Sequence, residues 1–81
     1  MNIEKVFYIV ESRKTKTNDF ISDAGFETLE EAKEYFNRLV DDKRKYKGQT
    51  ILLFKQTYAF DKEENELADL LDEDFIEEIE L

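Results

Sequence analysis

The chain has 81 residues, of which 21 are Asp or Glu and 12 are Lys or Arg, so its formal net charge is −9. Histidine, cysteine, proline and tryptophan are absent. This composition excludes a histidine general base, a thiolate nucleophile, a disulfide and a zinc site of the usual kinds. We therefore expect no catalysis, no cofactor or metal, and no small-molecule substrate.

The charge is distributed unevenly along the chain. Residues 1–60 hold 10 acidic and 11 basic residues, whereas residues 61–81 hold 11 acidic residues and a single base, Lys62. An apolar fraction of 41% with 14% aromatic residues is typical of a folded domain. No apolar run approaches the ~20 residues of a membrane span, and the N-terminus does not resemble a signal peptide. We expect one cytoplasmic domain, residues 1–81, with a near-neutral body over 1–60 and an acidic segment over 61–81.

Two strands are predicted near the N-terminus. Residues 3–12 are rich in β-branched and aromatic types and are apolar on both faces, which indicates a strand at the centre of its sheet. Residues 13–19 are polar and basic, as expected of an exposed hairpin loop. Residues 20–22 are predicted to form a short second strand, and residues 23–25 a turn.

A helix is predicted to begin at a capping box, Thr28-Leu29-Glu30-Glu31, in which Thr28 accepts a hydrogen bond from the Glu31 backbone N–H. Apolar residues then recur at helical spacing and form one stripe. The stripe comprises Leu29, Ala32, Tyr35, Phe36, Leu39 and Val40. The helix is expected to fade near Tyr46, with Gly48 as a left-handed terminator.

Residues 49–60 are predicted to form a third strand. A strand–helix–strand crossover makes this strand parallel to the second, so both should flank the first strand and run antiparallel to it. The expected fold class is α+β. It comprises a single small domain with a three-stranded antiparallel sheet in the order 2-1-3, in the sequence order β-β-α-β-α. The first helix covers one sheet face, and the final segment is expected to cover the other.

From about Asn65 onward, the spacing predicts an acidic amphipathic C-terminal helix. Its apolar side would comprise Leu67, Ala68, Leu70, Leu71, Phe75, Ile79 and Leu81. Acidic residues would project from the opposite side. Alternatively, Asp72-Glu73-Asp74 break the helix and leave residues 75–81 extended.

The acidic side of this segment is the main candidate functional surface. On a helix, carboxylates three or four residues apart stand ~4.5–6 Å apart axially, and a DNA strand carries one charge per ~3.4 Å of axis. Such a row suits a basic, nucleic-acid-binding groove of a partner protein, whereas a solubilising role is the plainer alternative. The predicted partner-binding residues are Glu66, Asp69, Asp72, Glu73, Ile76, Glu77 and Glu80, with Ile76 as an apolar anchor among the acids.

Two other functions remain open. The chain could be a small nucleic-acid-binding module whose basic clusters are restrained by the acidic tail. Those clusters comprise Arg13, Lys14 and Lys16 in the hairpin loop, and Lys43, Arg44 and Lys47 after the helix. The spare sheet face could instead make the chain a homodimeric interaction domain.

In character the chain resembles the small acidic proteins that phages encode to inhibit host enzymes. These include DNA-mimic inhibitors of nucleases and glycosylases and the anti-CRISPR proteins. The resemblance rests on the short length, the absence of cysteine, the expected α+β fold and the acids between Glu66 and Glu80. It implies an inhibitor that acts by protein–protein interaction in the host cytoplasm.

Overall fold

The first strand lies inside a four-stranded antiparallel sheet. The computed structural model describes residues 2–81. Its elements are β1 (Asn2–Lys14), β2 (Phe20–Phe26), α1 (Leu29–Asp41), β3 (Gln49–Asp61) and β4 (Glu66–Glu80). The strand order is β2-β1-β3-β4, so β2 and β4 form the two edges. The order β2-β1-β3 of the first three strands follows the expected pattern, whereas the C-terminal segment does not.

The two central strands, β1 and β3, are matched in length and pair without interruption. Each has 13 residues. Their register runs continuously from Asn2 opposite Asp61 to Lys14 opposite Gln49, and Tyr8 opposite Lys55 marks its midpoint. Because residues directly opposite each other in an antiparallel pair share a face, this register assigns each side chain of residues 3–14 and 49–61 to one of the two faces of the sheet.

Thr28, the N-cap of the predicted capping box at the start of α1, is confirmed. Thr28 is the N-cap in extended conformation, and its hydroxyl accepts from the Glu31 backbone N–H at 3.2 Å. The same hydroxyl donates to Glu31 Oε1 at 2.8 Å. The apolar stripe is also confirmed, since Ala32, Phe36 and Leu39 are buried against the sheet.

The helix ends at Asp41, earlier than predicted. A series of turns follows, in which the Gln49 backbone N–H donates to the Tyr46 carbonyl at 3.1 Å. Gly48 adopts the left-handed conformation, with φ of 83°, where a side chain would be strained. It therefore ends this turn and leads into β3 rather than terminating the helix.

The hydrophobic core lies between α1 and one face of the sheet, which we call the covered face. Val10, Ile51 and Leu53 contribute its buried sheet side chains. Ser12 is also buried there, and its hydroxyl lies 2.9 Å from that of Ser22 on β2, which satisfies both groups. Within the described chain, no residue of 54–78 belongs to the core, so α1 covers only one half of the long sheet.

The predicted three-stranded sheet with a C-terminal helix was wrong. The segment from Glu66 to Glu80 is a fourth strand paired with β3, and the sequence order is β-β-α-β-β. The predicted turn at residues 23–25 was also wrong, because these residues continue β2 to Phe26. The extended alternative for residues 75–81 agrees with the structure over residues 75–80, although here the extended conformation begins at Glu66.

Bulges account for the misleading helical period. Fifteen residues of β4 stand opposite residues 50–61 of β3, and the three extra residues are absorbed at three register shifts. Side chains along a regular strand alternate between the two faces of the sheet, with a period of two residues. Each bulge adds one residue, so two side chains on the same face are then three residues apart. Leu67 and Leu70 are three residues apart, yet they stand opposite Phe60 and Tyr58 on one face. This spacing mimics one turn of helix.

Like-charge repulsion also disfavours the helix. On a helix, Asp69, Glu73 and Glu77 would repel at i,i+4 spacing, with no base among residues 66–81 to offset them. In β4, Glu73 and Glu77 are assigned to opposite faces. The turn before β4 has local support, since Asp61 Oδ1 accepts from the Glu63 backbone N–H at 2.9 Å and Asn65 adopts φ of 54°.

Candidate interaction surfaces

The acidic residues after β3 form one exposed surface on the β3–β4 turn and the edge strand β4. We call these carboxylates the acidic surface. They comprise Asp61, Glu63, Glu64, Glu66, Asp69, Asp72, Glu73, Asp74, Glu77, Glu78 and Glu80. All but Asp61 are exposed, and Asp61 is half-buried. The surface therefore lies along the border of the sheet, on the edge opposite β2.

The register divides the predicted partner-binding residues between the two sides of the sheet. Glu66, Asp72 and Glu77 stand opposite Asp61, Thr57 and Leu53, which places them on the covered face. Glu73 and Glu80 stand opposite Gln56 and Thr50, on the other face. The single row expected of a helix is therefore replaced by two rows that share one edge strand.

Ile76 and Asp69 occupy irregular positions in β4. Ile76 is the extra residue between Glu77, opposite Leu53, and Phe75, opposite Phe54. Asp69 falls in the irregular stretch between Leu67 and Leu70. Ile76 is exposed and belongs to neither paired row, so its side chain is available beside the acids.

Little inside the molecule neutralises the acidic surface. The ion pairs among residues 2–81 are Arg13–Glu11 at 2.6 Å and Arg38–Glu34 at 4.0 Å, and neither involves β4. Glu73 accepts a hydrogen bond from Gln56 Nε2 at 2.9 Å. Because Gln56 is neutral, the charge of Glu73 remains. The acidic surface can therefore attract a cationic partner.

The face opposite α1, which we call the open face, is strongly apolar, and the final segment does not cover it as the sequence predicted. Its apolar side chains are assigned by the register and run across all four strands. They are Ile3, Phe7 and Ile9 of β1, Phe20 of β2, Leu52, Phe54, Tyr58 and Phe60 of β3, and Leu67, Leu70 and Phe75 of β4. Phe75 is 62% exposed, whereas a phenylalanine in a closed core is almost fully buried. The C-terminal segment thus extends this face instead of covering it.

Two shallow concavities lie on the open face. One, of about 260 Å³, is lined by Phe7, Ile9, Gln56, Tyr58 and Leu67. The other, of about 460 Å³, contains Leu52, Phe54 and Phe75 together with charged side chains of β1 and β4. Phe7 and Tyr58 meet edge to face at 6.1 Å between ring centroids, so the aromatic side chains are packed into a defined surface.

The two predicted basic clusters come together at one end of the molecule, which we call the basic end. The Thr15 backbone N–H donates to the Gly48 carbonyl at 2.9 Å and joins the hairpin loop to the turn after α1. Lys14, Lys16 and Lys47 line one concavity of about 500 Å³ there. Lys43 and Lys47 line another of about 480 Å³, together with Glu80 and Leu81 at the end of β4. The β3–β4 turn, which is acidic, lies at the other end of the sheet.

The geometry offers little support for metal chemistry. Asp72, Asp74 and Glu77 are on the covered face, whereas Glu73 and Glu78 are on the open face. Across residues 2–81, no three carboxylates are close enough together to hold a metal ion. In the same part of the chain, no helix is long and apolar enough to cross a membrane.

Comparison with known proteins adds no relative. No protein-family model, curated protein or solved structure matches the chain. The fold and the three surfaces described above, namely the acidic surface, the open face and the basic end, are therefore the basis for assigning a function.

Proposed function

We propose that this chain is a non-enzymatic inhibitor that binds a basic, nucleic-acid-binding groove of a partner protein through its acidic surface. The observation that carries the proposal is the exposure of these carboxylates on an edge strand, with no ion pair to a base within residues 2–81. The inhibitor would act in the cytoplasm, which is the host cytoplasm if a phage encodes it.

The density of charge along β4 supports this proposal. Six carboxylates occur between Asp72 and Glu80, a stretch of roughly 27 Å in a strand. This gives about one carboxylate per 5 Å, compared with one phosphate per ~3.4 Å of axis on a nucleic-acid strand. Pairing with β3 holds the β4 backbone in place, so little backbone entropy is lost when these side chains meet a cationic groove.

The construction of β4 indicates that side chains, rather than the strand backbone, make the contact. An edge strand exposes unpaired N–H and C=O groups that can recruit another strand. Here three bulges and a series of acids interrupt that edge, and both features disfavour strand addition. The exposed Ile76, at one of the bulges, can serve as an apolar anchor within the charged contact.

The proposal can be tested by capture followed by competition. The full chain is immobilised at low salt, exposed to lysate of its native host and eluted with salt, and the eluted proteins are identified by mass spectrometry. The captured protein is then purified and bound to a fluorescent DNA duplex. We expect the chain to displace the duplex, because the acidic surface and the phosphates would occupy the same groove.

A variant with fewer charges on β4 shows whether the carboxylates of this strand displace the duplex. Asp72→Asn, Asp74→Asn and Glu77→Gln together remove three charges from the covered-face row. At ~0.2–1 kcal/mol for each exposed pair, competition should weaken about tenfold. The matched control removes three exposed acids elsewhere, by Glu27→Gln, Glu34→Gln and Asp41→Asn, and should compete like the wild type. Equal potency of the two variants, or a partner that keeps its DNA, would contradict the proposal.

A second candidate function, binding of single-stranded nucleic acid, is favoured by the assembly of the basic end. Lys14, Lys43 and Lys47 lie around joined loops, and no carboxylate in the described part of the chain forms an ion pair with them. Fluorescence anisotropy with a labelled oligonucleotide at low salt tests this function. Replacing the three lysines by Gln should abolish binding, while Gln at Lys33, Lys55 and Lys62 should not. Absence of binding both by the wild-type chain and by the Asp72→Asn, Asp74→Asn, Glu77→Gln variant, in which the acidic segment is partly neutralised, would exclude it.

A further inference from the structure

The open face is large enough to be an interface. The molecule measures 47 × 26 × 17 Å, so a broad face has an area of roughly 1,200 Å², and a stable interface needs ~800 Å² from each partner. In residues 2–81 this face has no helix over it, because α1 packs on the opposite side. Sheets with one helical layer and one apolar uncovered face need a second layer to bury that face.

Charged side chains of β1 on the open face indicate how a second copy would lie. This face carries Lys5 toward one end of β1 and Glu11 toward the other. If two copies packed face to face with parallel long axes, both would have Lys5 at the same end and Glu11 at the same end. With antiparallel axes, Lys5 of one copy lies at the end where its partner carries Glu11, which is the favourable arrangement.

The register gives this arrangement a specific centre. The twofold axis lies between the two sheets, perpendicular to the strands and level with Tyr8 and Lys55, the midpoint of β1 and β3. With the axis at this midpoint, the whole of each open face takes part in the interface. On β1 the axis sets Lys5 across from the partner's Glu11, and it does so twice by symmetry. Phe7 then lies across from the partner's Ile9. The central strand therefore has complementary charges flanking an apolar middle.

The same axis avoids clashes of charge on β4. Glu78 stands opposite Leu52, which is three positions from the midpoint of β3 toward the basic end. Leu70 stands opposite Tyr58, which is three positions from the midpoint in the other direction. The axis therefore brings Glu78 across from the partner's Leu70. By the same reasoning, Glu80 lies across from the partner's Leu67. The acids of the two β4 strands therefore do not face each other directly. Because β4 is an edge strand, these carboxylates lie at the rim of the interface, where their charge can stay in contact with water.

We propose that the open face binds a second copy of this chain, forming an antiparallel homodimer in which two sheets stack with α1 of each copy on the outside. Stacked sheets lie ~10 Å apart, close enough for their aromatic side chains to interdigitate. The proposal does not depend on the inhibitor function. Carboxylates on the covered face, such as Asp72 and Glu77, stay exposed in the dimer and remain free for a different partner.

Sedimentation velocity on the full chain tests the proposal, since one copy has a mass of 9.7 kDa and the dimer has twice that mass. Lys5→Glu would set two like-charge pairs across the interface, so the dimer dissociation constant should rise about tenfold. Glu11→Lys alone removes the Glu11–Arg13 ion pair as well, so it is the reference for the double variant. Lys5→Glu combined with Glu11→Lys should dimerise more tightly than Glu11→Lys alone. Within one copy residues 5 and 11 are six positions apart in a strand, about 20 Å, so this gain can come only from contact between copies.

Phe75→Ser provides an independent check, because Phe75 is 62% exposed on the edge strand and its loss leaves the core intact. This variant should also weaken the dimer while circular dichroism shows an unchanged fold. A wild-type chain that stays monomeric at high concentration would overturn the proposal. So would a dimer that Lys5→Glu leaves unchanged, or a double variant that dimerises no more tightly than Glu11→Lys alone.

Discussion

Thr15 donates its backbone N–H to the carbonyl oxygen of Gly48 over 2.9 Å, although the two residues belong to different loops. The bond is reinforced by the hydroxyl groups of Thr15 and Thr50, which lie 2.8 Å apart. Leu81 completes the junction by donating to Gln49 and accepting from Gly48, each at 2.9 Å. The hairpin loop, the turn after α1 and the end of β4 are thereby fixed to one another.

This junction predicts that Gly48→Ala destabilises the protein through backbone strain alone. Gly48 has φ of 83°, and an added Cβ would meet nothing within 4 Å. The free energy of unfolding, measured by urea denaturation, should fall by about 1 kcal/mol. Gly25→Ala is the control, since its Cβ would make only an ordinary contact with Ile9, at 3.4 Å. A larger loss at Gly25 than at Gly48 would contradict this explanation.

Removal of the N-cap of α1 should measurably lower the free energy of unfolding. Thr28→Ala deletes the hydroxyl that accepts from the Glu31 backbone N–H, and the free energy of unfolding should decrease by about 1 kcal/mol. Thr17→Ala is a matched control, because the Thr17 hydroxyl contacts only its neighbour Asp19 in an exposed loop. Thermal unfolding of the two variants compares them directly. Equal midpoints would show that the cap contributes nothing.

Phe36 should be the helix position at which substitution by alanine lowers the free energy of unfolding the most. It is 1% exposed and lies between α1 and the covered face, so Phe36→Ala should cost about 3–5 kcal/mol. Domains of this size have roughly 5–10 kcal/mol of stability in total, so the variant should unfold at much lower urea. Asn37→Ala, one residue along on the exposed side, should unfold like the wild type. A Phe36→Ala variant that unfolds at the same urea concentration as the wild type would contradict the assigned core.

Hydrogen exchange should distinguish the strands by their place in the sheet. β3 is paired on both sides, whereas β4 is paired on one side and is exposed along almost its whole length. Amides of residues 50–56 should therefore exchange more slowly than those of residues 70–76. Slow, regular protection throughout residues 66–80 would instead indicate a packed helix and would contradict the fourth strand.

The parts of the fold that sequence predicts well depend on short-range patterns. The N-cap at Thr28 and the apolar stripe through Phe36 are local signals, and both are confirmed. Apolar residues on both faces of β1 correctly indicate a central strand, since β1 is paired with β2 on one side and with β3 on the other. The end of α1 was placed too late, since nothing near Asp41 breaks a helical pattern strongly.

The spacing of apolar residues along the chain is not enough to predict β4, because it does not show which strand the segment pairs with. Its bulges arise from pairing with β3, so the spacing of Leu67 and Leu70 reproduces a helical repeat without a helix. One local signal was available, because Asp61 and Asn65 enclose a short polar stretch with turn chemistry. Given that turn, β4 would be expected to pair with β3, and the acidic residues to lie on both sides of an edge.

The central claim is that the carboxylates of β4 bind a cationic groove. The salt dependence of the binding affinity tests this claim most directly. Affinity of the purified partner for the wild-type chain is measured by titration calorimetry between ~0.01 M and ~0.15 M salt, over which the Debye length falls from ~30 Å to ~8 Å. The account predicts that wild-type affinity falls steeply with salt, whereas the Asp72→Asn, Asp74→Asn, Glu77→Gln variant shows a weaker dependence. An affinity that is independent of salt, or the same dependence in both proteins, would contradict it.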